Sequence, residues 1–274
     1  MITELSEADA TGRIAEIYAE VRQLYATPYV SAIHRHLATR PGVLEWAWEA
    51  VSPVFRDGSA QETGWRLAAE ARLPSLPAIP NQALNVWGVA AEDFPAIRAA
   101  CDSFTRAAPV NLMFGGLVRA LLAWEGGHAH GRQPEPMGWI PPPMLPPPPA
   151  MVDEAALAPQ DRAVLNLFRS GTGTTAFIPS LYRMLARWPA LLAHLAVELR
   201  PLFDAPATTS AAGTLLSAID HAVTGLLPHL VHAPEWPRPG PVEAAHISSM
   251  VGGYRKTSPE LILFGRLIRH ALPD

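Results

Sequence analysis

One cysteine, Cys101, occurs in 274 residues. That scarcity excludes an intramolecular disulfide and a cysteine-rich zinc site, and it fits a reducing compartment. Lying in an apolar helical stretch, the lone thiol reads as a small core hydrophobe rather than a nucleophile. Basic clusters are absent too: 21 Lys and Arg against 25 Asp and Glu leave a formal charge of −4. A phosphate-backbone partner such as nucleic acid is therefore not expected. No uninterrupted apolar run approaches the ~18 residues of a membrane helix. The N-terminal residues Met1 to Glu7 lack a basic stretch followed by an apolar one, so no secretory signal is read there and a cytoplasmic location is expected. HExxH, GxGxxG, P-loop and GxSxG motifs are all missing, and neither a metal nor another cofactor is expected. The β-branched alternation that strands need is nearly absent, which makes the chain all-α.

What the chain does contain is ample core material, 49% apolar residues, arranged as a duplication. The segment Val30 to Pro41 recurs at Ile178 to Pro189, an offset of 189 − 41 = 148. At that offset Arg35, Leu37, Ala38, Pro53 and Phe55 meet Arg183, Leu185, Ala186, Pro201 and Phe203. At an offset of 150, Ile14, Ile17 and Tyr18 meet Val164, Leu167 and Phe168, and Phe104, Pro109, Phe114, Gly115 and Arg119 meet Tyr254, Pro259, Phe264, Gly265 and Arg269. Units of this length are too long for a solenoid and suit two half-domains about a pseudo-two-fold axis. The expected organisation is a first helical repeat over 1–132, a proline-rich connector over 133–150 and a second helical repeat over 151–274.

Helical spacing places Ile14, Ile17, Tyr18, Val21 and Leu24 on one face after Asp9 or Thr11 as cap. Val30, Ile33, His34 and Leu37 form a second short apolar face, and Pro41 opens a third helix with Leu44, Trp48 and Val51 inward. Further helices are predicted near 60–72, 94–106 and 110–124 in the first copy. In the second they fall near 159–169, 177–187, 189–203, 208–227, 241–251 and 259–272. The prolines between Gln133 and Pro149 forbid a helix and predict an extended strap; an SH3-type ligand is the other reading of the same residues.

With the repeat in place, the chain resembles the group I 2-haloacid dehalogenases, an all-α family built as a pseudo-dimer. Gly12, Tyr18, Val21-Arg22, Pro28-x-Val30, Arg35-x-Leu37-Ala38, Pro41-Gly42 and Ala47-Trp48 match the family pattern in order, as do Leu185-Ala186 and Trp188-Pro189. The resemblance implies a ligand cleft between the repeats and removal of halide from a short 2-haloacid by an aspartate-activated water. The position of that aspartate, eight residues before Pro189, is Leu181, and no Asp or Glu occurs from Ala163 to Val197. A leucine cannot deprotonate water, so the resemblance carries the fold and the pocket but not the chemistry. The family's nearby asparagine is likewise absent from Thr105 to Ala108, with Asn111 the neighbouring stand-in.

Candidates for the displaced chemistry are His34 and Tyr182, equivalent by the repeat and adjacent to Ile33 and Leu181. Both face inward, where the pair could serve as base and hydrogen-bond donor, orient a small acid, or simply be satisfied core groups. Arg35 and Arg183 would clamp a carboxylate or sit at helix ends. Asp220, equivalent to Glu70, would supply acid–base work or lie on a solvated face. His128 and His130 occupy a Gly-rich segment that could form a lid, while His221, His229 and His232 are kept out of register by Pro228. The candidate set is thus His34, Tyr182 and Asp220 for catalysis, with Ile33, Leu181, Arg183 and Asn111 for binding. A small organic acid or apolar molecule is the expected ligand; the apolar helices and the strap would also suit a homodimer. A catalytically silent binding protein or partner subunit on the same scaffold is the alternative function.

Overall fold

The computed structural model describes residues 3–123, 138–170, 177–231 and 235–273. Among them are eleven α-helices and no strand beyond an isolated bridge between Ser170 and Phe177. In chain order these are α1 Gly12–Tyr25, α2 Ala32–Leu37, α3 Val43–Arg56, α4 Ser59–Glu70, α5 Asn81–Val86, α6 Phe94–Ala123, α7 Pro159–Asn166, α8 Ser180–Leu185, α9 Pro189–Phe203, α10 Pro206–Leu226 and α11 Pro241–Ala271. The all-α reading holds. None of these helices is long and apolar enough to cross a membrane.

The helix boundaries echo the repeat. α2 and α8 are both six residues long and lie 148 positions apart, from Ala32 to Ser180 and from Leu37 to Leu185. α3 and α9 both carry an internal proline, Pro53 and Pro201, and α6 and α11 carry Pro109 and Pro259. These agreements are consistent with duplication.

Two sequence expectations about helices need correction. Separate helices are expected over 94–106 and 110–124 and over 241–251 and 259–272, yet α6 and α11 each run through, with Pro109 and Pro259 inside them. An interior proline costs about 3 kcal/mol through its lost donor and its clash with the preceding turn. Burial of Ala107, Ala108, Val110, Leu112, Met113 and Phe114 around Pro109 outweighs that cost. Gly64 of α4 helps, since a Cβ there would come within 3.2 Å of the Pro109 carbonyl oxygen, and only glycine permits this approach. The short helix α5 went unforeseen because Asn81–Val86 buries only Leu84 and so shows no apolar period. Thr11 does occupy the cap position of α1, with extended backbone, but its side chain makes no capping hydrogen bond.

The described residues of the connector, 138–150, contain no regular secondary structure. Their start is pinned: the Trp139 indole donates to Glu62 at 2.8 Å, and its ring lies where a Cβ on Gly58 would be. Leu145 N–H donates to the Ala26 carbonyl at 3.1 Å.

The chain forms two compact units that interleave segments of both repeats. The first comprises Met1–Glu70, Arg106–Leu145 and Thr214–Pro259; the second comprises Ala71–Thr105, Pro146–Gly213 and Glu260–Asp274. The first is centred on an aromatic group of Tyr25, His34, Trp48, Phe55 and Phe114. The second has a leucine-rich centre in which Leu165, Leu181, Leu185, Leu191, Leu195 and Leu199 are all fully buried. A Leu side chain taken out of water contributes roughly 2 kcal/mol, so these six alone account for much of that unit's cohesion.

Candidate functional site

α2 and α8 are single-turn helices that place the candidate residues against their own unit. In the first unit, Ile33 and His34 of α2 are both buried, His34 completely. The imidazole stacks on Phe114 at 4.3 Å and 27° and meets Tyr25 edge-on at 5.4 Å. Its Nε2 lies 3.3 Å from the Tyr25 hydroxyl, while Nδ1 lacks a well-formed hydrogen bond. Burial drives the imidazole down to about 3, opposed only in part by the Ser31 backbone. His34 is therefore a neutral ring at physiological pH and a poor base.

In the second unit, Leu181 and Tyr182 of α8 are equally enclosed, at 0% and 2% exposure. Tyr182 stacks on Phe168 at 4.2 Å and 27°, Phe168 meets Phe203 at 5.9 Å, and Phe203 meets Phe264 at 5.3 Å. The Tyr182 hydroxyl has no hydrogen-bond partner among the described residues. Burial, reinforced by the negative charge of Glu260 and by Cys101, pushes it far above the usual phenol range. It is thus a protonated O–H donor with no acceptor among the described residues. Leaving such a group unpaired in an apolar interior costs on the order of 1–3 kcal/mol.

The remaining candidates are already engaged. Asp220 of α10 forms an ion pair with Arg255 of α11, a buried residue whose guanidinium also donates to the Leu112 carbonyl at 2.9 Å. Burial lowers Arg255 from its ordinary value, and Asp220 counteracts this. Arg183 donates to the Val152 carbonyl at 3.1 Å and lies 3.8 Å from Glu154. Its repeat equivalent Arg35 pairs with Glu4 at 2.6 Å, and Glu4 and Glu154 are themselves 150 residues apart. Asn111 keeps its side-chain oxygen buried and without a partner among the described residues. His128, His130 and His232 lie outside the described residues, and no group of three metal-ligating side chains occurs within them.

The structure therefore sorts the candidates into two sets. Ile33, His34, Asn111 and Asp220 belong to the first unit, and Leu181, Tyr182 and Arg183 to the second. His34 and Tyr182 each find their ring partners inside their own unit.

Two groups escaped the sequence reading. Arg255 sits one step from Tyr254, which was used only as a repeat marker, and its burial beside the paired Gly115-Gly116 has no periodic signal. Glu260 lies one helical turn before Phe264 on the stripe that continues through Leu267, Ile268 and Ala271. Burial raises its carboxyl above the ordinary range, and the charge of Asp204 adds to the effect. The signal that could have found it is the repeat itself: at the offset of 150 its counterpart is Val110, fully buried and apolar.

No family model matches this chain. Over 130 residues it is 26% identical to the configuration-inverting 2-haloacid dehalogenase of Pseudomonas sp. (strain 113), a match covering 47% of this chain and 41% of that protein. The match therefore spans less than half the length of the curated relative. Solved structures are similar over far more of the chain. A D-2-haloacid dehalogenase mutant superposes with a TM-score of 0.74 at 18% identity, over 99% of this chain and 96% of that one. A D-2-haloacid dehalogenase mutant in complex with D-2-CPA gives 0.73 at 19% identity, and a D-2-haloacid dehalogenase with L-LA gives 0.71 at 19%, each with the same coverage. The architecture is the all-α fold of the D-2-haloacid dehalogenases. This chain is a structural relative of those proteins, as the sequence resemblance implies.

Proposed function

We propose that this protein binds a small organic acid beside α8 and acts on it by a mechanism altered from that of the 2-haloacid dehalogenases. The observation that carries the reading is the Tyr182 hydroxyl, enclosed, protonated and without an acceptor among the described residues, next to Leu181. A short carboxylate or halide offers the acceptor that this donor lacks. The alteration follows from Leu181, because an apolar side chain at the water-activating position leaves the usual general base out of the reaction. The shared fold and the partial match to a configuration-inverting dehalogenase support the substrate class, a short acid substituted at C2.

The reading is tested by halide release from D- and L-2-chloropropionate, with Leu181→Asp and His34→Ala assayed alongside. Slow turnover by the native protein, retained in His34→Ala, is the expected result. A second reading, a binding protein that kept the scaffold and lost catalysis, draws support from Leu181 and from the very weak basicity of His34. That reading predicts binding without turnover by the native chain and gain of turnover in Leu181→Asp. An absence of both binding and turnover in every variant would defeat the small-acid reading altogether.

A further inference from the structure

The proline-rich connector is a motif that the small-acid reading leaves unused. Proline fixes its own φ at about −65° and holds the residue before it extended. Both constraints act on Pro141, Pro142, Pro146, Pro147 and Pro148, each a proline followed by another proline. Polyproline II, with three residues per turn and no internal hydrogen bonds, satisfies both, and no regular secondary structure interrupts it over 138–150. Residues three apart then share an edge, and burial along the connector follows that period. Trp139, Pro142 and Leu145 on one edge are part-buried, whereas Ile140, Pro143 and Pro146 on the second are exposed. On the third edge, past the part-buried Pro141, Met144 and Pro147 are exposed as well.

The part-buried edge is the anchored one. The Trp139 indole fills the space beside Gly58 and donates to Glu62 at 2.8 Å, and Leu145 N–H donates to the Ala26 carbonyl at 3.1 Å. The other two edges are apolar and open: Ile140 is 83% exposed and Met144 54%. Among the described residues no backbone N–H is bonded to a carbonyl oxygen of residues 140–147. Single exposed apolar side chains are ordinary, but here two of them alternate with exposed prolines on one stiff rod, which makes a continuous patch. Charge narrows what can cover it. No Lys or Arg occurs between Arg132 and Arg162, and no Asp or Glu between Glu135 and Asp153. A groove of the SH3 type that pairs an acidic wall with a basic ligand residue finds no anchor in this segment. A neutral groove lined by aromatic side chains needs only proline rings to stack on and carbonyl oxygens to donate to, and the connector presents both.

We propose that the two outward edges of Ile140 to Pro147 form a docking surface for a partner protein that reads polyproline II through a neutral, aromatic-lined groove. Anchored at Trp139 and Leu145, the rod is held in its binding conformation beforehand, which removes an ordering cost that a free peptide carries. The proposal is independent of the small-acid reading.

The test titrates the full chain into isotope-labelled probe domains, WW-type domains with a neutral aromatic groove and an SH3-type domain with an acidic wall, and follows their NMR spectra. Saturable shifts of the groove indole N–H are expected in a WW-type probe. Pro143→Ala, Met144→Glu and Pro146→Ala should each weaken that binding about tenfold. Val242→Ser, which removes a comparably exposed apolar side chain on α11, should leave it unchanged. Melting temperatures of all four variants should match the native chain, because the substituted side chains are exposed. Binding that the three connector substitutions leave intact, a preference for the SH3-type probe, or no binding to any probe overturns the assignment. So does a native dimer in light scattering that Met144→Glu dissociates, since a second copy of this chain would then cover the surface.

Discussion

The two compact units each hold one of the two matched single-turn helices, and they differ in what that helix buries. In the first unit α2 presents His34, enclosed by Tyr25, Trp48 and Phe114, with Val110 on the flanking helix. In the second α8 presents Tyr182 on Phe168, with Glu260 in the place of Val110. The first arrangement is an aromatic box closed around a neutral imidazole. The second holds a hydroxyl without a partner among the described residues in a leucine-rich setting. Both halves hold buried polar atoms without partners among the described residues, Nδ1 of His34 and the Asn111 side-chain oxygen in the first and the Tyr182 hydroxyl in the second, and each costs stability unless a ligand answers it.

Exchanging the distinguishing residues should break the comparison most forcefully. Val110→Glu would force a carboxylate into a fully enclosed apolar site and is expected to cost about 4–6 kcal/mol, or to leave the protein unfolded. Glu260→Val, the reverse exchange, removes a half-desolvated charge and is expected to change stability by less than about 1 kcal/mol. Urea titrations of both variants give the answer directly. A costly Glu260→Val would mean that the carboxylate is a structural group after all.

The pH dependence of stability should separate the units next. His34 is held near 3 in the folded chain against an ordinary value of about 6.5, so the unfolded state takes up a proton first as pH falls. Its contribution is complete above pH ~6.5 and is lost progressively toward pH 3. Between pH 7 and pH 4 that loss amounts to about 3 kcal/mol. Tyr182 remains protonated throughout and adds no such slope. In His34→Phe, which keeps an aromatic ring against Phe114, the acid sensitivity measured by thermal melting at several pH values should shrink by about that amount.

A smaller effect distinguishes the equivalent carboxylates Glu70 and Asp220, both of which belong to the first unit. Glu70 pairs with Arg66 one turn away at 2.9 Å on an exposed face, and Glu70→Ala should cost less than about 0.5 kcal/mol. Asp220 compensates the enclosed Arg255. Its own side chain is 55% exposed, which limits the loss on Asp220→Ala to about 2 kcal/mol rather than the value for a fully buried pair. Equal losses in denaturant midpoint would show that Arg255 does not depend on its partner.

How much of this was legible before the structure varied with the kind of signal. The matched pairs α2/α8 and α3/α9 were readable because Pro41 and Pro189 punctuate the chain and apolar side chains recur at helical spacing. Continuity of α6 and α11 through Pro109 and Pro259 was not, since the tertiary burial that overrides a proline leaves no local mark. The enclosure of His34, Leu181 and Tyr182 followed from their place on apolar faces. Partners did not: Asp220 finds Arg255 across 35 positions, and that choice depends on helix packing rather than spacing. Glu260 was visible only as a charge following a proline. Its significance needed both the repeat alignment and the burial of Val110.

The finest probe of the two halves is the glycine pair Gly115 and Gly265, where α6 meets Ile33 of α2 and α11 meets Leu181 of α8. In the first unit a Cβ on Gly115 would lie 3.0 Å from Val251 and 3.5 Å from Ile33, both fixed in the core. In the second, a Cβ on Gly265 would lie 3.3 Å from the Thr105 methyl, 3.5 Å from Phe104 and 3.6 Å from Leu181. Alanine within a helix gains about 1 kcal/mol over glycine, and overpacking an enclosed site loses about 1–3 kcal/mol. At Gly115 the crowding should win by a few tenths to about 1 kcal/mol. At Gly265, where Thr105 and Phe104 are only partly enclosed and can give, the two terms should nearly cancel. The added methyl at Gly265 nonetheless presses on Leu181, so Gly265→Ala should keep its melting temperature while weakening ligand binding beside α8. The same substitution at Gly115 should lower the melting temperature and leave binding alone. If both variants lost stability and neither lost binding, the two halves would differ only in packing, and the site assigned to the second would have to be sought elsewhere.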